Sequence, residues 1–109
     1  MKRGEVWTVS DGGGYAGKSR PVVIVQDDAF GLLNSITICP FTSDPADLPL
    51  FRIAVSAEAG NGLKRESRIM ADKITTVRKS KLGSRVGVLS VEDMRRLNQA
   101  LVVFLGIAR

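Results

Sequence analysis

Three sets of side chains in this 109-residue sequence could act on a phosphodiester. Lys18, Ser19 and Arg20 stand where a glycine-rich stretch meets an apolar run. Thr42 and Ser43 close a second apolar run, and Asp72 is a lone carboxylate in a strand-like segment. An arginine fork grips phosphate through two N–H bonds and keeps its charge, which suits a transition-state clamp better than a proton donor. A hydroxyl can donate to a phosphoryl oxygen, and an aspartate can accept a proton. RNA brings its own nucleophile, the 2′-hydroxyl, so a protein acting on it has only to orient that group, move protons and stabilise phosphoryl charge. No metal is required for this chemistry. The same residue types also fit plainer roles, a loop-end arginine and turn-capping hydroxyls.

Other chemistries fall away by composition. The chain has no histidine and a single cysteine, Cys39, so it holds no histidine-based triad, no cysteine–histidine dyad, no intrachain disulfide and none of the usual zinc sites. Gly12, Gly14 and Gly17 match G-x-G-x-x-G in form, but the stretch leads through Pro21 into a strand rather than into a helix that could hold a pyrophosphate. Sixteen Lys and Arg against eleven Asp and Glu give a net charge of +5, which favours a polyanionic partner. The apolar tract Ala100–Ala108 is about half of what spans a bilayer, and no apolar leader follows Lys2 and Arg3. These features predict a single soluble domain of the cytoplasm without a cofactor.

The positioning elements read as mainly β. Strands are expected at Val6–Val9, Pro21–Gln26, Ser35–Phe41 and Phe51–Ser56, strand-like character over Arg68–Thr76 around Asp72, and a last short strand at Val86–Leu89. Pro21 is tolerated at a strand's first position, and as the residue before proline Arg20 is pushed toward extended backbone, so Arg20 sits at a strand mouth. Lys79–Leu82 reads as a short helical turn closed by Gly83. Ser90 with Asp93 opens a helix whose apolar stripe is Met94, Leu97, Leu101, Phe104 and Leu105, suited to core and dimer contact.

Met1-Lys-Arg-Gly-Glu-Val-Trp7, Arg20-Pro-Val-Val-Ile-Val25 and Pro40-Phe-Thr-Ser43, in that order, are motifs by which the chain resembles the MazF/PemK toxins of bacterial toxin–antitoxin systems. Weaker agreement runs through Ser67–Asp72, Ile74–Val77, Leu82-Gly83, Arg85–Gly87, Leu89-Ser90 and the terminal helix. The resemblance implies a small SH3-like, CcdB-like barrel of antiparallel strands with a C-terminal α-helix, a homodimer, and metal-independent, sequence-specific cleavage of single-stranded RNA, messenger RNA above all. It implies inhibition by a cognate antitoxin, with operator DNA bound only as the complex with that antitoxin, and no membrane partner.

The family's catalytic arginine and threonine fall on Arg20 and Thr42, and an acidic position of the PemK branch falls on Asp72. That branch has an arginine two residues before the acid and a histidine in the first loop; here the former is Met70 and there is no histidine. Lys18, Ser19, Ser43, Arg68 and Lys73 are the expected substrate contacts, within a wider cationic set that adds Arg52, Lys64, Arg65 and Arg78, with Trp7 or Phe41 for base stacking. Gly13–Ser19 is expected to gate the site. Two other readings stay open: a CcdB-like gyrase inhibitor, faintly echoed by Gly106 and Ile107, and a catalytically dead member that binds only antitoxin or DNA.

Overall fold

A computed structural model describes residues 1–10 and 19–107. Lys18 and the rest of the expected gate before Ser19 lie outside the described residues. The elements are β1 (Glu5–Ser10), β2 (Ser19–Ile24), β3 (Ser35–Thr42), β4 (Arg52–Val55), β5 (Ser67–Met70), β6 (Thr75–Arg78), β7 (Leu82–Val88) and α1 (Val91–Phe104). The strands run in the order β4-β5-β3-β2-β1-β7, with β6 also paired to β3. All pairings are antiparallel. The mainly β architecture with a C-terminal helix is as expected. The expected barrel is not closed among the described residues, because the path ends at β4 and β7 without pairing them.

Strand β3 organises the sheet. On one edge it pairs with β6 over Ser35–Ile38 and then with β5 at Phe41 and Thr42; on the other it meets β2 from Ile38 to Pro40. The Val25 amide donates to the Thr37 carbonyl at 3.1 Å. Antiparallel pairs alternate between bonded and non-bonded, so the mutually bonded positions fall at Val23 with Cys39 and then at Pro21 with Phe41. Pro21 has no N–H to give, and the ladder stops one pair earlier, at Val22 and Pro40.

The apolar runs of β2 and β3 are buried on both faces. Val23, Val25, Cys39 and Phe41 join the larger core with Val6, Ile53, Val55, Ile69, Leu97 and Leu101. Val22, Ile24, Ile36 and Ile38 form a second cluster, flanked by Trp7, Val9, Val77 and Leu82. A buried branched side chain stabilises by about 1.5–3 kcal/mol. The run Val22–Val25, all buried, therefore anchors the strand that begins beside Arg20.

Arg3 ties three elements together. Its Nε donates to the Val25 carbonyl and its Nη2 to Asn98 Oδ1, both at 2.7 Å, while its backbone amide donates to Asp28 Oδ1 at 2.7 Å. Helix α1 starts as expected, with Ser90 Oγ accepting from the Asp93 amide at 3.1 Å. Asp93 Oδ1 accepts from Arg96 at 3.0 Å, and Arg96 also donates to the Ala54 carbonyl at 2.8 Å, fastening the helix to β4. Leu97 and Leu101 are buried, whereas Phe104 and Leu105 are about half exposed. No helix among the described residues is long and apolar enough to cross a membrane.

Three boundaries differ from expectation. Strand β2 begins at Ser19 and ends at Ile24, so Pro21 is its third residue rather than its first. The Arg68–Thr76 segment is broken by a 3-10 turn, Ala71–Lys73, which places Asp72 off the strands. Lys79–Lys81 does form a short turn, but Gly83 lies inside β7 rather than ending anything. There the strand starts earlier than Val86 because Leu82–Val88 pairs with β1, a ladder that propensity alone does not supply.

Candidate functional site

A cavity of about 350 Å³ opens where β2 begins and β3 ends. Its described walls are Thr8 of β1, Ser19–Pro21 of β2, Phe41–Ser43 at the end of β3, Gly62–Arg65 and Ser67 leading into β5, and Val86 of β7. These residues are far apart in sequence, and the sheet register brings them together: Thr8 stands opposite Pro21, and Phe41 opposite Ile69. Arg20 and Thr42 each stand two residues beyond the last β2–β3 pair, Val22 with Pro40, and both line the cavity.

The chemistry of the lining is one-sided. Arg20, Lys64 and Arg65 are cationic, Thr8, Ser19, Thr42, Ser43 and Ser67 carry hydroxyls, and no described lining residue is a carboxylate. Such a lining matches an anion with several acceptor oxygens. Thr42 Oγ1 accepts from the Asp44 amide at 3.1 Å, and Asp44 Oδ1 accepts from the Ala46 amide at 3.0 Å. The hydroxyl thus serves the turn through its oxygen and retains its own proton as a donor. Ser67 Oγ donates to the Arg65 carbonyl at 3.1 Å.

Of the residues singled out from sequence, Arg20, Thr42, Ser19 and Ser43 share this cavity, as do Lys64 and Arg65 of the wider cationic set. Asp72, Arg68 and Lys73 are not among its described walls. Asp72 instead accepts from Arg52 Nε and Nη2, each at 3.2 Å. The Arg52 guanidinium holds the Asp72 carboxyl below the usual carboxylate range, the hydrogen bond outweighing desolvation. Arg68 lies with Arg52 and Arg96 in a separate depression between β4 and α1, and Lys73 is exposed at the end of the 3-10 turn.

Phe41 reaches the cavity although it is largely buried. Trp7 does not line it, and its indole donates to Glu5 Oε1 at 3.0 Å. Thr8 and Ser67 carry no signal in the sequence. Each is a hydroxyl on a strand paired with one that bears a candidate residue, and only the register reveals that.

The described residues thus form an open antiparallel sheet with a terminal helix, with a cleft of cations and hydroxyls where β2 begins and β3 ends. The chain belongs to the PemK-like, MazF-like toxin family of type II toxin–antitoxin systems, whose pattern it matches over residues 2–105. It is 48% identical over 108 residues to a probable endoribonuclease MazF of Mycolicibacterium smegmatis, with 99% of each chain covered. It is 28% identical over 116 residues to endoribonuclease MazF9 of Mycobacterium tuberculosis, with 98% of each covered.

Among solved structures, an endoribonuclease in complex with its cognate antitoxin from a mycobacterial species superimposes with a TM-score of 0.81 at 25% identity, covering 98% of this chain and 96% of that one. A MazE–MazF complex from Deinococcus radiodurans, 18% identical, shares the fold with a TM-score of 0.79 over 97% of this chain and 95% of that one.

Proposed function

We propose that the protein is an endoribonuclease toxin that cuts single-stranded RNA at the cleft holding Arg20 and Thr42, and that a cognate antitoxin blocks it. The observation that carries this reading is the lining itself: three cations and five hydroxyls converge with no described carboxylate among them, in a chain 48% identical to a probable endoribonuclease. Arg20 binds the scissile phosphate through its fork, and the Thr42 hydroxyl donates to a phosphoryl oxygen as charge builds there. The 2′-oxygen bonds to phosphorus while the bond from phosphorus to the 5′-oxygen breaks. The 2′-hydroxyl proton passes to water and the departing 5′-oxygen takes one from water, leaving a 2′,3′-cyclic phosphate and a 5′-hydroxyl.

Ser19 and Ser43 flank the pair as substrate contacts, with Lys18 adjoining in sequence. Asp72 is assigned to Arg52, whose position it fixes, and Arg68 and Lys73 to longer-range attraction of the RNA. The protein acts as a homodimer in the cytoplasm, a state favoured by the exposed apolar end of α1 with Val103, Phe104 and Leu105. Operator DNA is bound only together with the antitoxin.

The test is incubation of purified protein with a long unstructured RNA in EDTA beside the Arg20→Ala variant, with fragment ends read by sequencing. Discrete cuts leaving cyclic-phosphate ends are expected, and the variant should lose about 10²–10³-fold in rate, the usual cost of removing one such donor. Intact RNA across several templates would sink the enzyme reading.

A further inference from the structure

The segment joining β4 to β5 is tied into a knot that nothing in the cleavage chemistry explains. The Asn61 side chain is 2% exposed although it is polar. Its Oδ1 accepts from the Glu58 amide at 3.1 Å and from the Leu63 amide at 3.0 Å, and its Nδ2 donates to the Ser56 carbonyl at 2.9 Å. One amide thus closes both halves of the loop on itself, satisfying three backbone groups. The loop is then clamped on β7. The Val88 amide donates to the Gly60 carbonyl at 2.8 Å, and two glycines let the backbones touch. Gly62 has a φ of +71°, and a Cβ there would run into the Val86 carbonyl; a Cβ on Gly87 would run into the Asn61 backbone. Side chains are excluded from both surfaces of this contact.

The cleft wall begins directly after the knot. Gly62–Arg65 lines the cavity shared with Arg20 and Thr42, and the Ser67 hydroxyl bonded to the Arg65 carbonyl fixes the far end. Lys64 and Arg65 are both exposed, and their backbone is pinned on either side. Among the described residues, these are the two cations that the fold places in one cavity with Arg20. Long cationic side chains on a held backbone suit phosphates next to the one being cut, since a single strand is tracked by a cationic groove.

We propose that Lys64 and Arg65 bind the RNA phosphates flanking the scissile one, and that Asn61, with the Gly62 and Gly87 contact, positions them. The inference rests on the ribonuclease reading and adds to it a substrate subsite and its support. Lys64 and Arg65 hold the strand in register before and during the reaction equally, so their loss weakens binding more than it slows chemistry.

The test compares wild type, the Lys64→Gln/Arg65→Gln double variant, Asn61→Ala and Arg20→Ala. Cleavage of a short RNA is followed at several salt concentrations, and binding is measured with the same RNA carrying a 2′-deoxy sugar at the cut. The double variant is expected to raise KM about tenfold with kcat little changed, and to flatten the slope of log affinity against log salt by about 1.4, or about 0.7 for each phosphate left without its cation. Asn61→Ala should raise KM in the same sense while keeping the wild-type salt slope, because its cations remain but are no longer held.

An unchanged KM and salt slope in the double variant overturns the proposal, and misfolding cannot imitate that result because it would weaken binding and cleavage alike. Should wild type cut RNA and Arg20→Ala fail while the double variant behaves as wild type, the subsite alone is wrong. If wild type neither cuts nor binds the RNA, the ribonuclease reading falls and the subsite with it.

Discussion

Arg52 grips Asp72 at two points, Nε to Oδ1 and Nη2 to Oδ2, each at 3.2 Å. Both side chains are mostly shielded, at 14% and 16% exposure. The pair joins the start of β4 to the 3-10 turn after β5, and so staples the turn to the strand beside it. The mutual hydrogen bond raises the Arg52 pKa and lowers that of Asp72.

The lowered Asp72 value contributes a pH dependence to stability. A carboxylate more acidic in the folded than in the unfolded chain stabilises fully above its unfolded pKa, about 3.9, and loses that contribution as pH falls through the folded value. Asp72→Asn should therefore be less stable than wild type at neutral pH by about 1–3 kcal/mol, the usual cost of orphaning a shielded partner. The two proteins should converge as pH falls below the unfolded carboxylate value and through the lower folded one, in urea unfolding monitored by tryptophan fluorescence. A gap that stays constant with pH would show that the carboxylate charge contributes nothing.

Catalysis separates the same residue from the cleft. With Asp72 held by Arg52 and absent from the described cavity walls, Asp72→Asn should keep kcat within about tenfold of wild type, against a loss of about 10²–10³-fold for Arg20→Ala. Equal losses in the two variants would return Asp72 to the reacting groups as a proton acceptor.

Cys39 gives a chemical probe of the core. It is fully buried in the larger apolar cluster, and burial pushes its thiol up to about 12, with Arg3 opposing and Asp72 reinforcing the shift. The thiolate is the reactive form, so a native sample at neutral pH should react with a disulfide reagent only as fast as it unfolds. Stoichiometric labelling within seconds in the absence of denaturant would contradict the packing described for β3.

Ser90→Ala removes the oxygen that caps α1 and should cost about 1 kcal/mol, within the range for such caps. Ser90→Asp should recover most of it, because the carboxylate can accept from the same amide and suits the positive end of the helix. Thermal unfolding of the three proteins measures this directly.

The elements most legible in the sequence are those whose burial is most complete. Val22–Val25 is apolar without interruption because both faces are covered, and Ser90 announces its helix through a local hydrogen bond. Asp72 is harder to place. A strand-like pattern runs through it, while the turn that carries it is held by Arg52, 20 positions away, and no local signal encodes that partner. Strand β7 looks shorter in sequence than in structure for the same reason, since its first half depends on pairing with β1 rather than on its own residues. Arg20 stands out because proline and a buried run adjoin it; Thr8 and Ser67 do not, because only the register gives them neighbours.

The cleft draws its described walls from five stretches, the first at Thr8 and the last at Val86. A polypeptide still under synthesis therefore has no such cleft until the chain through Val86 has left the ribosome. If the cleft cuts RNA, a nascent molecule cannot act on its own message before that point, and an antitoxin already present meets no active form earlier.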